Sequence, residues 1–271
     1  MCGPFEKVSL RGSSYFVSFI DDYSRKVWIY LLSRKSEVFL TSKRFKVMVE
    51  TQSRNRIQRL RSDGGSEYTS HEFKKFYEDE GNIHKITPPY APHHNGVFEI
   101  LNRTIVNMTR CMLRNFHLPK EFWGEAVSTA AYLLNRCSTK RLENVTPEET
   151  WSGSKPCLKH LRVFGCLCFK HVPNQLRRKL DKKGEQMIML GYHSTGGYKL
   201  YDCSSKKVVI KIDEPASESV SDFETADHET LVHIDQNPEV TTDKRPKRTK
   251  VPSSRLQGFE VHTDDTITDE G

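Results

Sequence analysis

The chain has 271 residues, 36% of them hydrophobic and 28% charged, a length that accommodates one medium domain and a smaller one. Its net charge of +7 is unevenly placed: residues 1–211 hold 36 Lys and Arg against 20 Asp and Glu, whereas residues 212–271 hold 6 against 15. So basic a body is the footprint of polyanion binding, and no run approaches the roughly 20 apolar residues of a spanning helix, which favours nucleic acid over a membrane.

In chain order, Tyr15 to Asp22 and Lys26 to Leu32 are apolar, aromatic-rich runs joined by the turn DDYSRK, which predicts a β-hairpin. Ser36 to Gln52 reads as a helix, with Val38, Phe45, Met48 and Val49 at helical spacing and Ser36 as N-cap. A short strand, Ile57 to Ser62, ends at Asp63, and the Gly64-Gly65 turn after it lets backbone approach a ligand closely. A helix from Ser70 carries Phe73, Phe76 and Tyr77 on one face and stops at Gly81. The strand Ile83 to Thr87 leads into a Pro88 to Gly96 loop. Two longer helices follow, one bearing Glu99 and running to about Asn115, the other opening at Pro119 and ending near Asn135. Thr146-Pro-Glu-Glu149 has the form of a capping box.

From Leu161 to Ile212 the pattern changes to short apolar runs, RVFGCLCFKHV, EQMIMLGY, YKLYD and KKVVIKI, which predict a small antiparallel β-barrel. Cys166 and Cys168 alternate within the first of these as small buried hydrophobes. Seven cysteines with no CxxC pair and no signal peptide point to reduced intracellular thiols. Beyond Glu214 hydrophobic periodicity is lost and ten acidic residues but no basic ones lie between Asp213 and Asp243, so disorder is expected there. The expected division is a core over 1–150, a barrel over 151–214 and a linker tail over 215–271. The basic cluster KRPKRTK at Lys244 to Lys250 is compatible with a nuclear localisation signal or with a linker.

Asp63 and Glu99 carry the chemical interest. Carboxylates brought together from separate elements suit hard dications, which engage phosphate oxygens. With 35 Asp and Glu in the chain their spacing alone is unspecific, and the flanking residues decide. SDGGSEY, then PPYAPHHNGVFEILNRT, preceded by YFVSFIDDYSRKVWIYLL, resemble the core of a retroviral-type integrase, in particular the copia branch of LTR-retrotransposon integrases. LPKEFWGEAVSTAAYLLNRC, TPEETWSGSKPCLKHLRVFGC, MLGYHSTGGYKLYD and RPKRTKVPSSRLQGFEV extend the resemblance over most of the chain.

The resemblance implies an α/β, RNase H-like catalytic core followed by a Src-homology-3-like barrel. It implies that Asp63 and Glu99 are catalytic and metal-binding members of a three-carboxylate site holding two Mg2+ (or Mn2+) ions, which performs 3′-end processing and strand transfer on DNA. Partners so implied are element ends, target duplex, further copies of the chain, and a downstream reverse transcriptase region of the parent polyprotein. Relatives place the first carboxylate in a segment ending Asp-x-Cys-Gly-Pro, and this chain begins Met1-Cys2-Gly3-Pro4, so that aspartate and its strand are expected immediately before Met1. A His/His/Cys/Cys zinc module is expected further upstream. Asp21 and Asp22 are candidate substitutes, against an ordinary role in their turn or pairing with Arg25.

The helix of Glu99 departs from the pattern at Phe98 and Ile100, and the loop at His93 and His94. Candidate DNA contacts are His93, His94, Asn95, Arg103, Arg110 and Arg114. His93 and His94 are also readable as metal ligands, against exposed loop residues near phosphate. Lys43, Lys46, Arg54, Arg56, Arg59 and Arg61 contribute to the positive field. A non-catalytic, DNA-binding remnant is the alternative class, and an RNase H-like nuclease without strand transfer a third.

Overall fold

A computed structural model describes residues 1–87, 96–172 and 174–211. Met1–Ser217 forms one compact unit, and Glu218–Gly271, a second unit, lies outside the described residues. The predicted hairpin is present as β1 (Tyr15–Ile20) and β2 (Val27–Leu32), paired antiparallel from Tyr15 opposite Leu32 to Ile20 opposite Val27. Successive strand side chains point to opposite faces. Val17 and Phe19 therefore face α1 (Glu37–Ser53) and α3 (His71–Asp79), packing with Val38, Phe45, Phe73 and Tyr77. Phe16 faces the other way, onto Ile105 of α4 (Gly96–Asn115) and Trp123, Val127 and Ala130 of α5 (Trp123–Leu134). Both faces of the hairpin are covered, which is why its sequence is almost continuously apolar.

β3 (Arg59–Ser62) runs parallel to β4 (Ile83–Ile86), with a short helix, α2 (Ser66–Thr69), and α3 between them. The expected N-cap at Ser36 is not made: Ser36 is already in helical conformation, and the Glu37 carboxylate instead accepts the Ser33 and Arg34 amides at 3.2 and 3.1 Å. Ser70 and Thr146 do cap, accepting the Phe73 amide at 3.3 Å and the Glu149 amide at 3.1 Å, and Thr146 opens α6 (Pro147–Ser152). The helix expected from Pro119 begins as a 3-10 turn, Lys120–Phe122, before α5 proper. Beyond α5, the Asn135 amide pairs with both backbone groups of Val27 at 2.8 Å, tying the helix end to β2.

The C-terminal strands β5 (Leu167–His171), β6 (Gly184–Tyr192), β7 (Tyr198–Asp202) and β8 (Lys207–Lys211) form a four-stranded antiparallel meander with a register shift between Met189 and Gly191. β5 begins later than the apolar run predicts, because Gly165 takes a φ of +85° where the chain presses on Phe116. One face of the meander packs Ile188, Tyr201 and Val208 against Phe122, Ala126 and Leu113. Three polar joints reinforce that seam. Glu125, its side chain 4% exposed, bridges Arg11 (3.2 Å) and Lys199 (2.7 Å). Tyr132 stacks on Tyr192 with centroids 4.2 Å apart, and Thr129 donates to the Leu190 carbonyl at 3.1 Å.

Gly191 has a φ of +141°, and a Cβ there would lie 2.4 Å from Thr129 Oγ1. Gly191→Ala is therefore expected to destabilise the chain by about 1–3 kcal/mol through overpacking, with backbone strain added. In urea titrations, Thr129→Ala should relieve the clash, so the double variant is less destabilised than the sum of the two single changes. Strict additivity would show that α5 and β6 are not in register contact.

Candidate active site and nucleic-acid face

Asp63 follows the last residue of β3, and its Oδ1 accepts the Gly65 amide at 3.3 Å, the turn expected of Asp before Gly-Gly. The end of β3 is held from below, where Ser62 Oγ meets His84 Nε2 at 2.8 Å and the His84 ring packs 5.2 Å from that of Phe73. Glu99 sits exposed in the first turn of α4. That helix is set on β1 by the buried Ile105 and by Ser18, whose hydroxyl donates to Asn102 Oδ1 at 2.8 Å.

The structure brings the two neighbourhoods together. Asp63 and Phe98, the residue before Glu99, line one cavity of about 40 Å³. Its other walls are Ser18 and Phe19 of β1, Leu60 to Ser62 of β3, Met1 and Tyr68. Phe98, a departure from the pattern of relatives, is thus a cavity wall beside Asp63. Burial first, then the charges of Asp63 and Glu67, raises the Tyr68 pKa, so its hydroxyl stays protonated beside the carboxylate.

The cavity lies between two sheet edges. β1 pairs with β2 on one side, and on the other Cys2 forms an antiparallel bridge with Phe16, exchanging backbone hydrogen bonds of 2.8 and 3.0 Å. Cys2 packs with the α4 and α5 layer, Met1 with the α1 and α3 layer.

Asp21 and Asp22 have the ordinary turn roles. Asp21 Oδ2 accepts both the amide and the hydroxyl of Ser24 at 2.7 Å, and Asp22 pairs with Arg25 at 2.9 Å. Among the described residues no three His, Cys, Asp or Glu side chains converge on a point that would hold a metal. The hard oxygens of Asp63 and Glu99 fit a dication as an incomplete donor set. His93, His94 and Asn95 lie outside the described residues.

Arg103, Arg110 and Arg114 are exposed on α4. At 100° per residue they and Glu99 fall within about 60° of the helix circumference, so one face carries the carboxylate and then three arginines over about 22 Å. Arg110 donates to Asn107 on that face at 3.1 Å. The lysines of α1 are otherwise engaged, since Lys46 is 5% exposed between Glu50 and Glu80 and Lys43 lies 4.2 Å over the Phe39 ring. Sequence spacing could have found the α4 row as a stripe. The engagement of Lys46 depends on α3 lying beside α1, which no local pattern encodes.

Residues 2–92 match the integrase core domain family and residues 166–229 the retroviral polymerase SH3-like domain family. The retrovirus-related Pol polyprotein from transposon TNT 1-94 of Nicotiana tabacum is 47% identical over 220 residues, 81% of this chain. The chain belongs to the integrase region of the retrovirus-related Pol polyproteins of transposons. This is a DNA-integration family. The corresponding polyprotein from transposon RE2 of Arabidopsis thaliana is 36% identical over 69% of the chain. The chain spans only 17% and 13% of those two relatives. Among solved structures, it is similar to the HTLV-2 integrase catalytic core domain in complex with magnesium (18% identity, 49% of this chain and 82% of that one, TM-score 0.38). It is also similar to a chain of the simian T-cell lymphotropic virus intasome in complex with PP2A regulatory subunit B56 gamma (17% identity, 72% of this chain and 68% of that one, TM-score 0.42). Among the described residues no helix is long and apolar enough to cross a membrane.

Burial first, then the Lys74 ammonium, holds His84 below the ordinary histidine value. The unfolded chain therefore takes up the proton more readily than the folded one, so the stability His84 contributes is full above about pH 6.5 and lost as pH falls through its folded value. Unfolding titrations from pH 7.5 to 5 should show declining stability, and His84→Gln should flatten part of the decline. His160, held low by burial and then by Arg136 and Arg162, leaves a residual slope of the same sign.

Proposed function

We propose that this integrase segment binds duplex DNA along the Glu99 to Arg114 face of α4. We further propose that, within a longer polypeptide, it supplies two of the three carboxylates of a site for 3′-end processing and strand transfer. Its division would be a core over 1–150, a barrel over 151–214 and a linker over 215–271. The cavity shared by Asp63 and the first turn of α4 carries the proposal. Bound Mg2+ or Mn2+, two ions in the family's complete site, would supply the positive charge that stabilises attacking and leaving oxygens. Asp63, fixed at a strand end and a glycine turn, and Glu99, on a helix anchored by Asn102, would hold them. The arginines would clamp phosphates and align the duplex, releasing counterions as they do so.

Strand register supports the position of the third carboxylate. Extending the Cys2 to Phe16 pairing backwards sets the residue before Met1 opposite Ser18. By alternation its side chain turns to the Cys2 and α4 side, and Ser18 opposite it is a wall of the cavity that Asp63 lines. The family's first aspartate is expected in that position. Further copies of the chain, a polymerase region elsewhere in the polyprotein and a nuclear site of action accord with the family. A non-catalytic, DNA-binding remnant is the second reading for this chain acting alone.

Two measurements test this. Replacing Arg103, Arg110 and Arg114 together by Ala should reduce the slope of log K against log [salt] for duplex binding by about 3, and an unchanged slope would remove α4 from the interface. The chain alone should bind duplex without joining it in Mg2+ or Mn2+. A version extended by the family's upstream strand and aspartate should join DNA ends to target and lose that activity with Asp63→Asn or Glu99→Gln. Joining that survives Asp63→Asn would overturn the site assignment, and no joining by the extended version would favour the remnant.

A further inference from the structure

β5 exposes side chains that a strand in a small folded unit ordinarily covers. Phe169 is 69% exposed and Leu167 56%, and with His171 they occupy the same face at alternate positions. This is the face whose central part, Ile188 and Tyr201, packs on the core, so the exposed residues continue outward from a buried seam. The Phe169 ring rests on Gly184 of the neighbouring strand, where an added Cβ would lie 3.4 to 3.7 Å from the Phe169 side chain. A glycine below and solvent above give a pinned ring with an open face.

The loop that follows is strongly basic. Arg177, Arg178, Lys179, Lys182 and Lys183 lie between β5 and β6, with Asp181 as the one acidic residue. That carboxylate accepts the Arg178 amide at 2.8 Å within its own turn. The loop is closed at its base by the Val172 amide donating to the Lys183 carbonyl at 3.0 Å. Leu180, 99% exposed, stands at the tip. The start of β5 abuts the end of α4, since Gly165 presses on Phe116, two residues beyond Arg114. The end of α4 is therefore in contact with the chain that enters β5.

We propose that the outer face of β5 and the β5–β6 loop form a second nucleic-acid site, which takes single-stranded polynucleotide. Phe169 and His171 stack on bases, and Arg177 to Lys183 track the phosphates. Residues two apart on a strand stand about 7 Å from each other, a spacing that suits successive splayed bases. A phosphate-only duplex site gains nothing from an exposed ring, because duplex bases are already stacked. The site goes beyond the duplex-binding role of α4 and does not depend on catalysis.

Fluorescence anisotropy of the full chain with oligo(dT), oligo(rU) and a duplex of equal length tests it. Phe169→Ala should weaken both single strands by roughly 5- to 100-fold and leave the duplex within about twofold. Phe169→Trp should restore binding and show added emission quenching with the oligonucleotide. Lys182→Glu with Lys183→Glu should weaken all single strands and reduce their salt slope. The unsubstituted chain separates the sources: equal affinity for the two single strands indicates base stacking alone, and tighter binding of oligo(rU) adds recognition of the ribose hydroxyl. Unchanged single-strand affinity in Phe169→Ala overturns the proposal, as does a fall in sedimentation mass without one, which would make the face a contact between copies. Because the α4 triple variant reads on duplex and the Phe169 variants on single strands, the two sites can fail separately.

Discussion

The β1–β2 hairpin is buried on both faces, and the placement of each element that carries chemistry follows from which face it covers. α1 and α3 close one side through Phe45, Phe73 and Tyr77. α4 and α5 close the other through Ile105, Trp123 and Val127. One polar residue interrupts the apolar run YFVSFI, and it is Ser18, which points at α4 and bonds Asn102. That contact lies one turn from Glu99 and beside the cavity of Asp63. Loss of the hairpin's packing would thus separate Phe98 of α4 from Asp63, with which it lines one cavity.

The second constraint is the seam between core and meander. A carboxylate as buried as Glu125 is costly unless paired, and its two cations come from a loop before β1 and from β7. Such a pair is weak evidence for stability, but it specifies one register of docking, and Gly191 against Thr129 specifies the same one sterically. Duplex and single-strand surfaces, if both are used, are then held at a constant separation.

Positive charge in the sequence overstates the number of cations available to a ligand. Lys46 neutralises two glutamates in a nearly closed site, and Lys26 joins Glu148 of α6 at 2.9 Å while lying over the rings of Trp28 and Trp151. The α4 row and the β5–β6 loop remain at the surface.

Much of the fold was legible from local pattern. The hairpin, the α4 periodicity, the Ser70 and Thr146 caps and the four C-terminal strands follow from side-chain period and turn chemistry, which act over a few residues. The motifs around Asp63 and Glu99 identified the family for the same reason, being contiguous. Ser36 failed as a cap because it is itself helical and the Glu37 and Val38 amides already bond the Arg34 and Lys35 carbonyls of the preceding turn, an arrangement visible only in coordinates. That Phe98 walls the Asp63 cavity, that Lys46 is consumed and that Phe169 is left uncovered were all decided by packing between elements far apart in sequence. By itself the sequence determined which elements form and what chemistry they bring; the tertiary structure decided which side chains meet, because burial and desolvation are properties of neighbours in space.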